Sequence, residues 1–332
     1  MYAAARHGHM PVCTLLLAYG ASIVKPATCY KAKDRWPLIM YAAKYESVEL
    51  CSMVLKQGGY VDERRENGDT ALLVACRGAS LEVLQLLLGH GANVHTVNAH
   101  GETTLHAAAQ YNNVAVAAVL RQRGVSLRYR ARGGATVLHD AAAHCAVDMC
   151  RLMLTLKAAV DARNANGQTP LHVAARAGHV AVCRLLLEAG ADMERMDKRG
   201  WSALLTAARY NRVLLCQLLL DRGANMHHRD HRGFTALHHA ALHPEATELA
   251  QLLIQNGANL EAKSNKGLTP LDLAAYIINE SMCTTLLANG ASVDWSKRSA
   301  WKLLLYLSRG TYHSRKHLVK LLGKAEEPHK EE

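Results

Sequence analysis

The sequence predicts an all-α solenoid of helix–turn–helix units with short β-hairpin fingers, and three observations carry that reading. The segment NGQTPLHVAARAGHVAVCRLLLEAGADM, which begins at Asn166, recurs along the chain. Its Thr169 aligns with Pro37, Thr70, Thr103, Thr136, Ser202, Thr235 and Thr269, in steps of 33 residues with one of 34 at the end. A fixed period of this length marks a repeat array, which replaces the two-domain expectation of an ordinary 332-residue chain. The composition is the second observation: half the residues are apolar, yet aromatics reach only 5% and Phe occurs once, so the core must be built from small and branched aliphatic side chains on helices. The third is the order of local signals inside each unit.

Each unit opens on a turn, Asn-Gly or a variant. A Thr follows whose hydroxyl can cap a helix, and Pro170 or Pro270 then sits where a missing N–H costs nothing. A short apolar helix comes next, then a tight break and a second helix ending in Leu-Leu-Leu. Gly190, Gly223, Gly257 and Gly290 close the second helix where a left-handed cap is needed. No helix pair this short can bury its apolar face alone, so stability must come from stacking neighbours.

TPLHVAARAGH closely resembles the ankyrin-repeat consensus, and the resemblance covers about residues 1–296. It implies a curved solenoid whose concave face is made of the fingers and first helices. The expected organisation is a truncated first repeat over 1–24 and eight further repeats over 25–296, with a long first finger at 23–36. A degenerate basic helix pair over 297–324 caps the array, and 325–332 is a disordered tail. The motif histidine is present as His106, His139, His172 and His238, and the resemblance implies that its ring bonds backbone between adjacent units. Met40, Leu73, Leu205 and Asp272 replace it elsewhere.

Other chemistry is weighed and set aside. Charge at 20% with half the chain apolar excludes disorder and a disulfide mini-fold as the global description. No apolar run approaches a membrane span, and MYAAARHGHMPVC lacks the pattern of a secretion signal, so the chain reads as soluble and cytoplasmic, with the nucleus also open. Cys13, Cys51, Cys150, Cys183, Cys216 and Cys283 share one register on the second helix. Neighbouring units stack at about 10 Å, beyond disulfide reach, so these read as buried free thiols. His227, His228, His231, His239 and His243 form a richer cluster with a His-x3-His pair that suits a divalent metal, but no definite third ligand accompanies it. It reads as a polar, partly exposed patch. His228-Arg229-Asp230 spells a kinase-like triplet without a Gly-rich loop or Asp-Phe-Gly. No enzyme, no metal and no cofactor is expected.

Function must then lie where repeats differ. The resemblance implies five variable positions per unit: two at the finger tip, one before the Thr and two at the end of the first helix. They hold Trp36, Tyr45, Tyr111, Trp201, Tyr210, Phe234 and Tyr276, several times an even share of the chain's aromatics. Such residues dominate binding hot spots. At the same positions the early repeats mix Lys and Arg with Asp and Glu, whereas the fifth to ninth carry Arg132, Arg176, Lys198, Arg199, Arg209, Arg232 and Lys266 without an acid. One sign of charge on a groove attracts the other. The expected function is a non-catalytic scaffold, a monomer, that binds an acidic protein segment on its concave face, with Trp201 exposed at the centre. The alternative is a polyanion-directed adaptor that docks RNA or anionic membrane through the basic concave half and the 297–324 helices. That stretch has eight Lys or Arg and no acid. It reads either as a solubilising cap or as a docking surface. Sequence-specific nucleic-acid recognition is not expected, for aromatic and basic residues do not interleave.

Overall fold

The computed structural model describes residues 1–23, 36–78 and 80–294. The chain divides into two compact units, Met1–Ala165 and Asn166–Glu332. In the first, five helix pairs follow one another: α1 (Tyr2–Arg6) and α2 (Met10–Ala18), α3 (Leu38–Lys44) and α4 (Val48–Lys56), α5 (Ala71–Arg77) and α6 (Leu81–Gly89), α7 (Thr104–Gln110) and α8 (Val114–Gln122), α9 (Val137–Ala143) and α10 (Val147–Thr155). The second has four: α11 (Pro170–Ala177) and α12 (Val180–Glu188), α13 (Ala203–Arg209) and α14 (Val213–Asp221), α15 (Ala236–Ala241) and α16 (Thr247–Gln255), α17 (Pro270–Tyr276) and α18 (Glu280–Ala288). Within each unit, first helices pack on first helices and second on second.

The local reasons are those the sequence announces. Thr103, Thr136, Thr169 and Thr235 cap the first helices in boxes closed by the motif histidine, and Thr269 does so with Asp272. In most repeats the break between the two helices holds one residue in the left-handed region. Gly178 fills it at φ +86, while Asn112, Cys145, Asn211 and Ile278 occupy it elsewhere with φ between +52 and +61. Asn tolerates this conformation, whereas β-branched Ile278 is strained by it.

Neighbouring repeats are joined by three recurring bonds. Finger tips bond through backbone: Ala99 N to Asn67 O at 2.8 Å and Arg132 N to His100 O at 2.7 Å in the first unit, Lys198 N to Asn166 O at 3.0 Å and His231 N to Arg199 O at 3.1 Å in the second. Gly101 shows why the tip needs glycine, since at φ +72 an added Cβ would lie 2.8 Å from Arg132 N. The motif histidines provide the second bond, as the resemblance implies. His106 Nε2 reaches Ala135 O at 3.4 Å, His172 Nε2 reaches Trp201 O at 2.8 Å and His238 Nε2 reaches Leu268 O at 3.0 Å. The third was not read from sequence. Arg64, Arg130 and Arg229, each six residues before the capping Thr, bridge a carbonyl of their own finger and one of the next.

The fingers are hairpins of the shortest kind. The described ones close on two backbone bonds, such as Asp197 N to Trp201 O at 2.9 Å and Gly200 N to Asp197 O at 3.1 Å, and a single antiparallel bridge, Val97 to Thr103, occurs among the described residues. The fingers are too short for a ladder. Most of the long first finger expected at 23–36, the basic helix pair at 297–324 and the tail at 325–332 lie outside the described residues.

Ala, Leu and Val fill the core between the helix layers, and the six equivalent cysteines lie in it as buried free thiols. Burial pushes Cys51, Cys216 and Cys283 up to about 12, and Cys150 likewise with help from Cys145. Since the thiolate is the reactive form, these six should label slowly with a bulky thiol reagent in the native protein and at once in denaturant. Exposed Cys145 should label promptly in both. Mass spectrometry of timed aliquots checks this, and fast native labelling of all six contradicts the core placement.

Candidate protein-binding face

In the first unit the finger side is a self-satisfied charge network. Asp69, fully buried, accepts from Arg77 at 2.9 and 3.3 Å and from Asn67 and Asn98 at 2.9 Å each. Arg77 also reaches Glu102 at 3.2 Å, and Glu102 accepts from Asn98 and Gln110 at 2.8 Å each. Burial works against both carboxylates, but these donors outweigh it and hold Asp69 and Glu102 below the ordinary range. Asp140 on α9 differs. Burial first, and then the Glu102 charge, push it up to about 6, against one long bond from Gln110 at 3.5 Å. Charge at the variable positions alone misses this acid of the fifth repeat.

Of the aromatics expected on this side, Trp36 is half-buried. It stacks on Tyr41 at 5.5 Å between centroids, with the Arg65 guanidinium 4.8 Å and the Lys44 ammonium 5.3 Å from its ring. Tyr45 donates to Arg6 O at 3.0 Å and leaves 37% of its surface exposed. Tyr111 is 59% exposed, and Arg132 projects into solvent from its finger.

At the fingers of the second unit the acids turn inward and the bases outward. Asp197 and Asp230 are buried at the finger roots. Asp197 accepts from Arg199 N at 2.7 Å and Trp201 N at 3.0 Å, and Asp230 from Arg232 N at 2.8 Å and Phe234 N at 2.9 Å. These are Asx turns that shape the fingers. The other oxygen of Asp230 accepts from the Trp201 indole at 3.0 Å and from His239 Nε2 at 3.1 Å. Burial would raise Asp230, but the donors, His239 foremost, hold it at about 2. Arg176, Lys198, Arg199, Arg232 and Lys266 are exposed, and Arg209 is half-exposed.

Two expectations fail here. Trp201 is not an exposed ring: it is half-buried, tethered to the next finger through Asp230, edge-on to His239 at 5.4 Å, and covered by Arg199 at 5.0 Å. Phe234 likewise stacks on His238 at 5.3 Å. Trp201 joins two fingers and Phe234 packs on the first helix of its own repeat, which the residue type at a finger base does not reveal. The histidine cluster also disperses. His239 is buried on Asp230, His228 turns to Glu194 at 3.4 Å, and α15 ends at Ala241, so His243 lies beyond the helix that would have paired it with His239.

Among the described residues of this unit, the exposed tyrosines are Tyr210 at 38% and Tyr276 at 63%, at the ends of α13 and α17. Ile277 and Ile278, unmarked in the sequence reading because only aromatics were counted, extend Tyr276 into an exposed apolar run. Strain at the exposed, 57% accessible Ile278 makes this run a feature that folding alone does not favour.

A family model of ankyrin repeats, in three copies, matches the chain in overlapping stretches over 1–98, 39–131, 80–164, 138–230 and 204–297. The chain belongs to the ankyrin-repeat family. Repeats of this family are protein–protein interaction modules. No curated protein matches the sequence. Among the described residues, no helix is long and apolar enough to cross a membrane.

Because the Trp201 ring joins two fingers, Trp201→Ala should lower stability by about 2–3 kcal/mol and Trp201→Phe, which loses only the bond to Asp230, by about 1 kcal/mol in urea melts. Asp140 should behave in the opposite sense. Its folded pKa lies above its unfolded value, so the ionised form opposes folding at neutral pH and the penalty fades as pH falls from about 6 towards 4. Asp140→Asn should therefore stabilise by roughly 1–3 kcal/mol at pH 7 and by little at pH 4, measured by melts across that range.

Proposed function

We propose that the protein is a non-catalytic interaction scaffold whose finger side, in the 166–294 unit, takes a partner segment carrying acidic and apolar side chains. The observation that carries this reading is the separation of charge at the fingers: Asp197 and Asp230 are buried and engaged, while Arg176, Lys198, Arg199, Arg232 and Lys266 are exposed. Tyr210, Tyr276 and Ile277, exposed at the ends of the first helices, add apolar anchors of the hot-spot kind. Half-exposed Arg209 adjoins Tyr210 and belongs to the same surface. Tyr45, Tyr111 and Arg132 offer a more mixed face in the first unit, where the Arg77 network absorbs its own acids.

The test is affinity capture from the native cell followed by titration of the purified partner. Tyr276→Ala with Tyr210→Ala should cost about 2 kcal/mol of affinity with little change in melting, because both rings are exposed. Lys198→Glu with Arg232→Glu should slow association at low salt. Unchanged affinity in both double variants rejects this face. Binding to homopolymeric RNA or anionic vesicles with a steep salt slope, and loss of it on deleting 297–332, would instead favour the polyanion-directed reading.

A further inference from the structure

One cavity shares no residue with the proposed protein-binding surface. It has a volume of about 470 Å³ and lies in the first unit, between the loop after α8, the start of α9 and the loop after α10. Val137, Leu138 and Met153 are buried and line its apolar part. Arg121, Arg128, Arg130 and Lys157 supply the charge, and among the described residues that line it there is no carboxylate. The volume falls within the range of small-ligand sites.

Other repeats show what this place can hold. In three other repeats a carboxylate in the loop after the second helix accepts the backbone N–H of the residue 31 positions on, in the next repeat. Asp62 accepts from Asn93 N at 3.1 Å, Glu194 from Asn225 N at 2.8 Å and Glu261 from Ser292 N at 2.7 Å. In the same register, 31 residues apart, the cavity has Arg128 and Ala159. The carboxylate is replaced by a cation, and the small Ala159 leaves space. The register of Gly91, Gly124 and Gly190 is held here by Lys157, whose φ of +58 lies in the left-handed region that suits glycine. Arg121 adds a buried Nε with no hydrogen-bond partner, its terminal nitrogen being bonded to Val125 O. Arg130 is engaged with the Gly134 and Arg163 carbonyls and contributes field.

We propose that this cavity is a binding site for a small anionic amphiphile, with a carboxylate or phosphate monoester head on a short aliphatic body. The head would take the place that Asp62, Glu194 and Glu261 fill from within the chain, accepting from Ala159 N–H and pairing with Arg128, Lys157 and Arg121. The body would lie against Leu127 and Leu156, above the buried Val137, Leu138 and Met153. Three features meet at one spot: a base in the register of those acids, an alanine 31 residues on, and a strained lysine in place of glycine; the first two recur as His227 and Ala258, and Lys157 with the Arg128 guanidinium sets this repeat apart. Solubility alone favours neither the alanine nor the strained backbone. The site is separate from the protein-binding face and does not depend on it.

Isothermal titration of the full chain with octanoate, octyl phosphate, inorganic phosphate and octanol tests the assignment. Octanoate or octyl phosphate should bind at one site per chain, the tighter of the two naming the head group, while inorganic phosphate binds at least about tenfold more weakly and octanol gives no binding. Arg128→Glu supplies the internal carboxylate of the other repeats, and Lys157→Gly restores their glycine. Each variant should weaken binding by about tenfold or more without lowering the melting temperature, so a loss of binding will not reflect a loss of fold. Octanol binding as tightly as octanoate, inorganic phosphate matching octyl phosphate, unchanged affinity in both variants, or no heat from any probe at millimolar concentration would each overturn the proposal.

Discussion

Everything in this protein depends on one constraint: a pair of helices seven and nine residues long, as in α13 and α14, cannot bury its own apolar face. The neighbour must do it. Each repeat therefore presents to the next a fixed set of complementary groups: apolar first-helix faces, a backbone N–H at the finger tip, a histidine Nε2 and, in several repeats, an arginine that spans two fingers. Isolated helices of this length are marginal in water, so their order comes from stacking. Because all these bonds reach one repeat away, the effect of a substitution is expected to stay local, in keeping with the near-additive energetics of solenoids.

The same constraint limits what a surface residue can mean. A finger-base side chain has two roles open to it, to face solvent or to hold a neighbouring finger, and geometry assigns the second to Trp201, while Phe234 packs on the histidines of its own repeat. The Trp201 ring and the Asp230 carboxylate form part of the joint between repeats. The exposed apolar side chains lie instead towards the turn between helices, at Tyr210, Tyr276 and Ile277. Acids follow a similar division. Asp69, Asp197 and Asp230 are drawn into finger roots by backbone N–H groups and neighbouring donors, and that leaves the exposed charge of the second unit's fingers mainly basic.

Departures from the repeat are the most informative positions, because packing alone would restore the pattern. Ile278 accepts a backbone conformation that a β-branched side chain resists, and it lies beside two exposed apolar residues. Lys157 accepts it in place of glycine, and it faces a cavity whose charge is inverted relative to three sister positions. Both places combine local strain with an exposed or ligandable feature.

The sequence by itself determined the architecture. A period of 33 residues, the Thr caps, the motif histidines and the cysteine register are local or periodic signals, and each found its expected place: His106, His172 and His238 bridge repeats, and the six cysteines are buried. Helix-period patterns are legible because a neighbour of known kind always covers the same face. Only the tertiary structure decided how the variable residues divide between joint and surface. Whether the Trp201 indole points to solvent or to Asp230 depends on the finger 29 residues away, and whether Arg128 meets a carboxylate or a cavity depends on what lies 31 residues on. Those pairings are set by the stacking distance between repeats, which reading along the chain does not supply.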